Sequence, residues 1–161
     1  MPLPMMAACV PPMAEVELLL QYYLEGTELA PWISGFSGGD GSQSKQADHL
    51  YCAVGPSAGA GPHHRAYVTQ NGIDLTPFST LFVDWAVIRP IGGSAAFGVA
   101  TNRDDDSFVA SLSKNTTGTR AEESIDVSAL SGVHYLKLRS MRAGSLATAT
   151  EAFFYGVRLA P

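Results

Sequence analysis

Apolar residues recur at every second position in short runs along most of this chain. "HLYCAV" sets Leu50, Cys52 and Val54 on one side. "TLFVDWAVI" does the same with Leu81, Val83 and Trp85. "HYLKLRS" places Leu136 and Leu138 inward and Lys137 and Arg139 outward, and "EAFFYGVRLA" aligns Phe153, Tyr155, Val157 and Leu159. "HRAYVTQ", "SAAFGVAT" and "SFVASLS" are shorter runs, the last two joined by "NRDDD". A period of two marks a strand with one face in a core and the other in water. Between the runs lie segments rich in Gly, Ser, Asn and Pro, which read as loops: 37–48, 55–62, Asn71-Gly72 and the hairpin-like "NTTGT" at 115–119. Eight or nine such runs with almost no helical spacing predict an all-β chain, an antiparallel β-sandwich of jelly-roll type.

The first residues differ. "AEVELLLQYYLEGTEL" (14–29) fits both helical spacing and alternation, and a strand from Leu18 to Leu24 is the preferred reading. Residues 1–13 hold four prolines and four methionines. Proline withholds the backbone donor that helix and sheet interiors need, so an extended arm is expected. The plain reading is a frayed terminus. The sharper one uses the cost of leaving Leu3, Met5, Met6, Val10 and Met13 in water, and makes the segment an arm that docks on a neighbouring subunit. The domain division is then 1–13 as arm and 14–161 as one sandwich.

One phrase is written twice. Ile73-Asp74-Leu75-Thr76 leads through one residue to Phe78-Ser79, and Ile125-Asp126-Val127-Ser128 leads through one residue to Leu130-Ser131. A strand-type run follows each. An aspartate here accepts hydrogen bonds from backbone amides two or three residues on, which caps a turn and starts a single helical turn. Asp74 and Asp126 are therefore read as structural turn caps, with Phe78 and Leu130 folding back to plug the end of the sandwich.

Composition narrows the function classes. The net charge is -5 with ten Lys and Arg in 161 residues, which lacks the basic field that nucleic-acid backbones require. No apolar run approaches the length of a membrane span, so no membrane insertion is expected. "MAAC", ending at Cys9, resembles a lipoprotein cleavage box, but the segment before it lacks the basic and apolar regions of a signal peptide, and none is expected. Cys52 reads as a small buried apolar residue and Cys9 lies in the arm. A disulfide between them is disfavoured, and folding in a reducing cytoplasm is expected.

Candidate chemistry is sparse. Adjacent residues on a strand point to opposite faces, so His63 and His64 would not share a metal and read as a solvated pair. His49 beside Asp48, and His134, read as strand-edge residues. Asp104, Asp105 and Asp106 could offer oxygens to calcium, but the helical-loop calcium pattern is absent, and a solvated hairpin tip is the plainer reading. The loop around Asp40 is weaker still. Asp84 and Glu151 are the carboxylates that a glycosidase could use, yet nothing in their spacing singles them out. No nucleophile elbow, phosphate-binding loop or dinucleotide motif is present. No enzyme activity is expected, and no cofactor beyond that calcium. Tyr51, Tyr67, Phe82 and Trp32 are aromatic candidates for outward placement, and Tyr51 and Tyr67 are the preferred glycan-stacking pair.

Taken together, "HLYCAV", "AYVTQNGIDLTPFSTLFVDWA", "FGVATNRDDD" and "SIDVSALSGVHYLKLR" resemble β-sandwich domains of bacteriophage tail and other virion structural proteins, over Trp32 to Leu159. Those domains are similar in shape to carbohydrate-binding modules. The resemblance implies a non-enzymatic structural component of a phage particle, tail or capsid-associated, assembled in the host cytoplasm. Other virion subunits and copies of itself would be its partners. It also implies an alternative, a carbohydrate-binding module that attaches to a host surface glycan. The N-terminal arm and the Pro-rich loop at 55–62 depart from the family pattern.

Overall fold

The computed structural model describes residues 16–18, 32–35, 41–46, 48–55, 62–89, 92–143 and 149–161. Twelve strands occur among them: β1 (Val16–Leu18), β2 (Trp32–Ser34), β3 (Ser42–Lys45), β4 (Leu50–Val54), β5 (Pro62–Thr69), β6 (Ile73–Asp74), β7 (Thr80–Ile88), β8 (Gly93–Ala100), β9 (Ala110–Lys114), β10 (Gly118–Asp126), β11 (Val133–Ala143) and β12 (Thr150–Ala160). They form two sheets. The first runs β10-β7-β12-β4-β3, with β1 continuing along β12 where β4 stops. The second runs β2-β5-β11-β8-β9, with β6 added to β11. All strand pairs are antiparallel. The sandwich expected from the alternation is the fold observed.

The core lies between the sheets. Leu81, Val83, Trp85 and Val87 of β7 and Ala152, Phe154, Val157 and Leu159 of β12 face Phe97 and Val99 of β8 and Leu136 and Leu138 of β11. Trp85 and Phe154 stack with centroids 5.7 Å apart. The lateral edge is closed by an ion pair: Lys114 on β9 and Glu123 on β10 meet at 2.8 Å, and the lysine lies 4.6 Å over the Trp85 ring.

Some details differ from the alternation reading. Twelve strands replace eight or nine because four of them have only two to four residues, too short to show a period. Ser42–Lys45, placed in a loop by its polarity, is the edge strand β3. Polar β10 is the opposite edge strand. "NTTGT" is not a hairpin turn, since β9 and β10 lie in different sheets. Lys137 does point away from the core, but it is covered, and its ammonium is held by the carbonyl and carboxylate of Asp105. Of the strand expected at Leu18 to Leu24, only Leu18 falls among the described residues. The arm residues Leu3, Met5, Met6, Val10 and Met13 lie outside them. Among the described residues no helix is long and apolar enough to cross a membrane.

The repeated phrase forms two matching corners. The Thr76 amide donates to Asp74 Oδ1 at 3.0 Å and the Ser128 amide to Asp126 Oδ1 at 2.9 Å. A β-turn follows each, rather than a helical turn, with Phe78 donating to the Leu75 carbonyl and Leu130 to the Val127 carbonyl. Leu75 and Val127 are buried, and Phe78 and Leu130 pack against the core. The corners also join each other. Ile125 and Asp126 pair with Leu81 and Thr80, the start of the strand that follows the first corner. Ile73 and Asp74 pair with His134 and Val133, the start of the strand that follows the second. Leu75 donates to Gly132 and Val127 to Ser79. Each corner thus anchors the strand launched by the other, one in each sheet.

Two predictions follow from the corners. Leu75→Ala removes a buried plug at a site bounded by both corners, and should cost about 2–5 kcal/mol in chemical denaturation. Both aspartate carboxyls are held below their ordinary value of 3.8 by the hydroxyl and amide of Thr76 and Ser128. A depressed folded-state value stabilises the fold above the unfolded value and loses that effect as pH falls through the folded one. Wild-type thermal stability should therefore drop as pH falls below about 4. An Asp74→Asn, Asp126→Asn double variant keeps the acceptor oxygens and should show a shallower drop.

Candidate functional site

β12 must bury Ala152 and Phe154 near its start and Val157 and Leu159 near its end. The first pair are even-numbered and the second odd. Strict alternation cannot bury both, and the register shifts between Phe154 and Gly156. That β-bulge inserts one extra residue and reverses the parity of what precedes it. Phe154 turns inward. Phe153 and Tyr155, expected on the core side with Val157 and Leu159, turn outward instead. The lone glycine inside a strand pattern at Gly156 is the sequence signal for such a bulge.

Around these two rings, neighbouring strands place further side chains on the same outer face. Register sets Tyr51 of β4 opposite Phe153, and Phe82 of β7 opposite Arg158. The Tyr51 and Phe153 rings are 5.3 Å apart, tilted by 55°. The His49 ring stands 5.5 Å from Phe153 and 5.4 Å from Tyr155. Edge strand β10 contributes Arg120, whose guanidinium lies 4.1 Å over Tyr155 and grips Asp84 with bonds of 2.6–3.0 Å. Arg158 lies 3.6 Å over Phe82 and holds Glu122 at 2.7 and 3.1 Å. Tyr51 donates its hydroxyl to Glu151 Oε1 at 2.6 Å, and Asp48 contacts His49 Nδ1 at 2.7 Å. The result is a partly exposed cluster of rings braced by guanidinium–carboxylate pairs. Such a surface can stack on the apolar face of a flat ligand and exchange hydrogen bonds around its rim.

The ionisation states fit this bracing. The hydrogen bond from Arg158 holds the Glu122 carboxyl below its ordinary value, and Asp84 raises the Arg120 guanidinium. Desolvation, then the bond to Glu151, pushes the Tyr51 phenol up to about 12. Tyr51 is therefore a hydroxyl donor throughout the neutral range.

The candidates from sequence separate. Tyr51, Phe82, Asp84, Glu151 and His49 come together here. Tyr67 does not: it faces inward from β5 and is 2% exposed, so its ring is core and cannot stack on a glycan. Trp32 is likewise fully buried. Both were candidates for outward placement because alternation in a short run does not say which of its two faces meets the core. Arg120, Glu122, Phe153, Tyr155 and Arg158 were missed, the charged ones because polar β10 carries no alternation and the rings because of the bulge. Asp84 and Glu151 share the face but not a cleft. Asp84 lies opposite Gly156 and Glu151 opposite Ile88, four residues along β7. At ~3.3 Å per residue that is roughly 13 Å, beyond the ~5–9.5 Å between paired glycosidase carboxylates.

Asp104, Asp105 and Asp106 lie elsewhere, over the second sheet. Each carboxylate turns to a different cation: Arg103, Lys137 and Arg139. Asp105 also accepts from the Ser107 hydroxyl and amide, which holds its carboxyl at about 2. Among the described residues no group of three His, Cys, Asp or Glu side chains is arranged to hold a metal ion. His64 is buried on β5, not a solvated loop residue, and the His63 side chain is outside the described residues. His134 is also buried, bonding the Gly132 carbonyl. Cys52 is a free, buried thiol that donates to the Arg65 carbonyl, and burial pushes it up to about 12.

No protein-family model matches the chain, and no curated protein does. Solved structures do. The glycoside hydrolase domain of Endo-D from Streptococcus pneumoniae matches with a TM-score of 0.57 at 15% identity over 80% of this chain, which spans only 21% of that one. A family 11 carbohydrate-binding module from Clostridium thermocellum, in complex with a β-1,3-1,4-mixed-linked tetrasaccharide, matches with a TM-score of 0.53 at 14% identity, covering 91% of this chain and 95% of that one. A family 11 module of a cellulosomal cellulase from the same organism gives 0.55 at 12%, covering 91% and 94%. At these identities the shared property is the fold. None of these matches links the chain to bacteriophage proteins.

Burial of two phenols has a direct readout. Tyr51 and Tyr67 are both raised to about 12, so spectrophotometric titration should show at least two tyrosines still protonated well above the ordinary value near 10. Tyr51→Phe should remove one of these late titrations. Titration of all six tyrosines together would contradict the burial described.

Proposed function

We propose that this chain is a non-catalytic carbohydrate-binding module that holds a glycan against the outer face of its first sheet. The observation that carries the reading is the cluster of Tyr51, Phe153 and Tyr155 rings beside the Tyr51–Glu151 hydrogen bond. Sugar rings offer apolar C–H faces for stacking and hydroxyls around the edge. A ring cluster with fixed carboxylates at its border matches both needs. The likeness in fold to carbohydrate-binding modules supports the same reading. The roughly 13 Å between Asp84 and Glu151, and their engagement by Arg120 and Tyr51, support binding without cleavage.

The virion setting implied by the sequence resemblance has a narrower basis. The phrases that carry it map onto the two corners and the core strands, so they encode architecture. In that setting the same face would attach a particle to a host surface glycan, with the N-terminal arm and further copies of the chain as assembly partners. Nothing in the geometry favours a purely structural role over glycan binding.

Calorimetric titration of the full chain with mixed-linked β-glucan oligosaccharides, preceded by a glycan array to choose the tightest ligand, tests the reading. Tyr51→Ala and Phe153→Ala should each weaken binding by about tenfold or more, since one stacked ring contributes on the order of 1.4 kcal/mol. Tyr135→Ala, on the second sheet, should leave it unchanged. Binding that survives both first-sheet variants, or no glycan retained at all, would refute the proposal.

A further inference from the structure

We propose that this face selects neutral glycans and rejects those bearing carboxylate or sulfate groups, with Glu151 as the acceptor that orients the bound sugar. The inference rests on the glycan-binding reading above and adds the chemical class of ligand.

The charge balance of the face carries it. Among the described residues, four carboxylates stand on or beside the rings: Asp48, Asp84, Glu122 and Glu151. Two guanidiniums stand among them, and both are committed. Arg120 directs two nitrogens at Asp84, and Arg158 directs two at Glu122. Each also covers a ring, Tyr155 or Phe82. An anionic ligand would have to displace a bidentate partner to reach either one, and would release a carboxylate beside itself. The remaining negative charge repels it.

A neutral sugar meets the opposite situation. Its hydroxyls are donors, and carboxylates are acceptors with several lone-pair positions. Glu151 accepts one bond, from Tyr51, and that bond fixes the carboxylate next to the Tyr51–Phe153 ring pair. A sugar stacked on those rings presents its edge hydroxyls to the free lone pairs of Glu151. Sulfate and carboxylate groups bring no donor to that position.

Affinity electrophoresis of the full chain tests this with a fixed panel: mixed-linked β-glucan, galactomannan and xyloglucan as neutral probes, and polygalacturonate, alginate and heparin as anionic ones. At low ionic strength at least one neutral polysaccharide should retard the protein, and every anionic one about tenfold more weakly or not at all. The gap should narrow in ~1 M salt, where the screening length is about 3 Å. Asp84→Asn, which removes the carboxylate that grips Arg120 on the exposed edge strand β10, should gain affinity for polygalacturonate with an unfolding midpoint close to that of the wild type. Glu151→Ala should lose about tenfold on the neutral probe. An anionic polysaccharide bound as tightly as the best neutral one overturns the selectivity and leaves glycan binding standing. So does an Asp84→Asn variant that rejects anions as before. Failure of all six probes would remove the glycan-binding reading itself, and this inference with it.

Discussion

The central constraint is a parity conflict in β12. This strand lies in the middle of the first sheet, paired with β7 along one side and with β4 and β1 along the other. Its two halves must both feed the core, yet their buried residues differ in parity. The bulge between Phe154 and Gly156 resolves the conflict by adding one residue on the outer side. With the bulge, Phe154 stacks on Trp85 inside and Phe153 and Tyr155 stand outside. Without it, one half of the strand would bury Tyr155 and Phe153 and expel Phe154. The core and the candidate site are therefore two outcomes of one backbone irregularity.

A second constraint holds the sheets in place relative to each other. The two aspartate-led corners are alike in chemistry, and each hydrogen-bonds to the strand that the other begins. Thr76 extends the exchange by accepting from the Gly132 amide at 2.9 Å. The first corner leads into β7 of one sheet and the second into β11 of the other, and these strands are flanked on both sides. A repeated phrase in one chain thus has a structural cause: two sheets need the same entry, and the entries brace one another. That use of the motif accounts for its strong local signal without any ligand.

The face on the first sheet gains its character from pairing across strands. Arg120 and Glu122 come from an edge strand that is almost wholly polar, and Arg158 from the far half of β12. Stacking of a guanidinium on a ring, with its edge held by a carboxylate, limits the freedom of all three groups. Rings held in this way lose little further freedom when a ligand stacks on them, which lowers the cost of binding. The second sheet uses the same device for a different end. Lys137 and Arg139 draw Asp105 and Asp106 over its outer surface, and the Phe108 ring lies 4.8 Å from the Arg139 guanidinium. There the ion pairs fasten a loop and the acidic run is spent on them.

What the sequence determined by itself was the class of fold, the strands long enough to show a period, and the two corners. Alternation at Leu81, Val83 and Trp85, and at Leu136 and Leu138, is local chemistry repeated along one strand, and the Asp74 and Asp126 turns close within a few residues. Tertiary structure alone decided the rest. Which aromatic residues face out depended on a one-residue bulge that reverses side without changing composition, so Tyr67 and Trp32 went to the core and Phe153 and Tyr155 to the surface. Which charges gathered there depended on strands that are distant in sequence but adjacent in the sheet. A period of two reports that a strand has two faces. Only the packing of the opposite sheet states which face is buried.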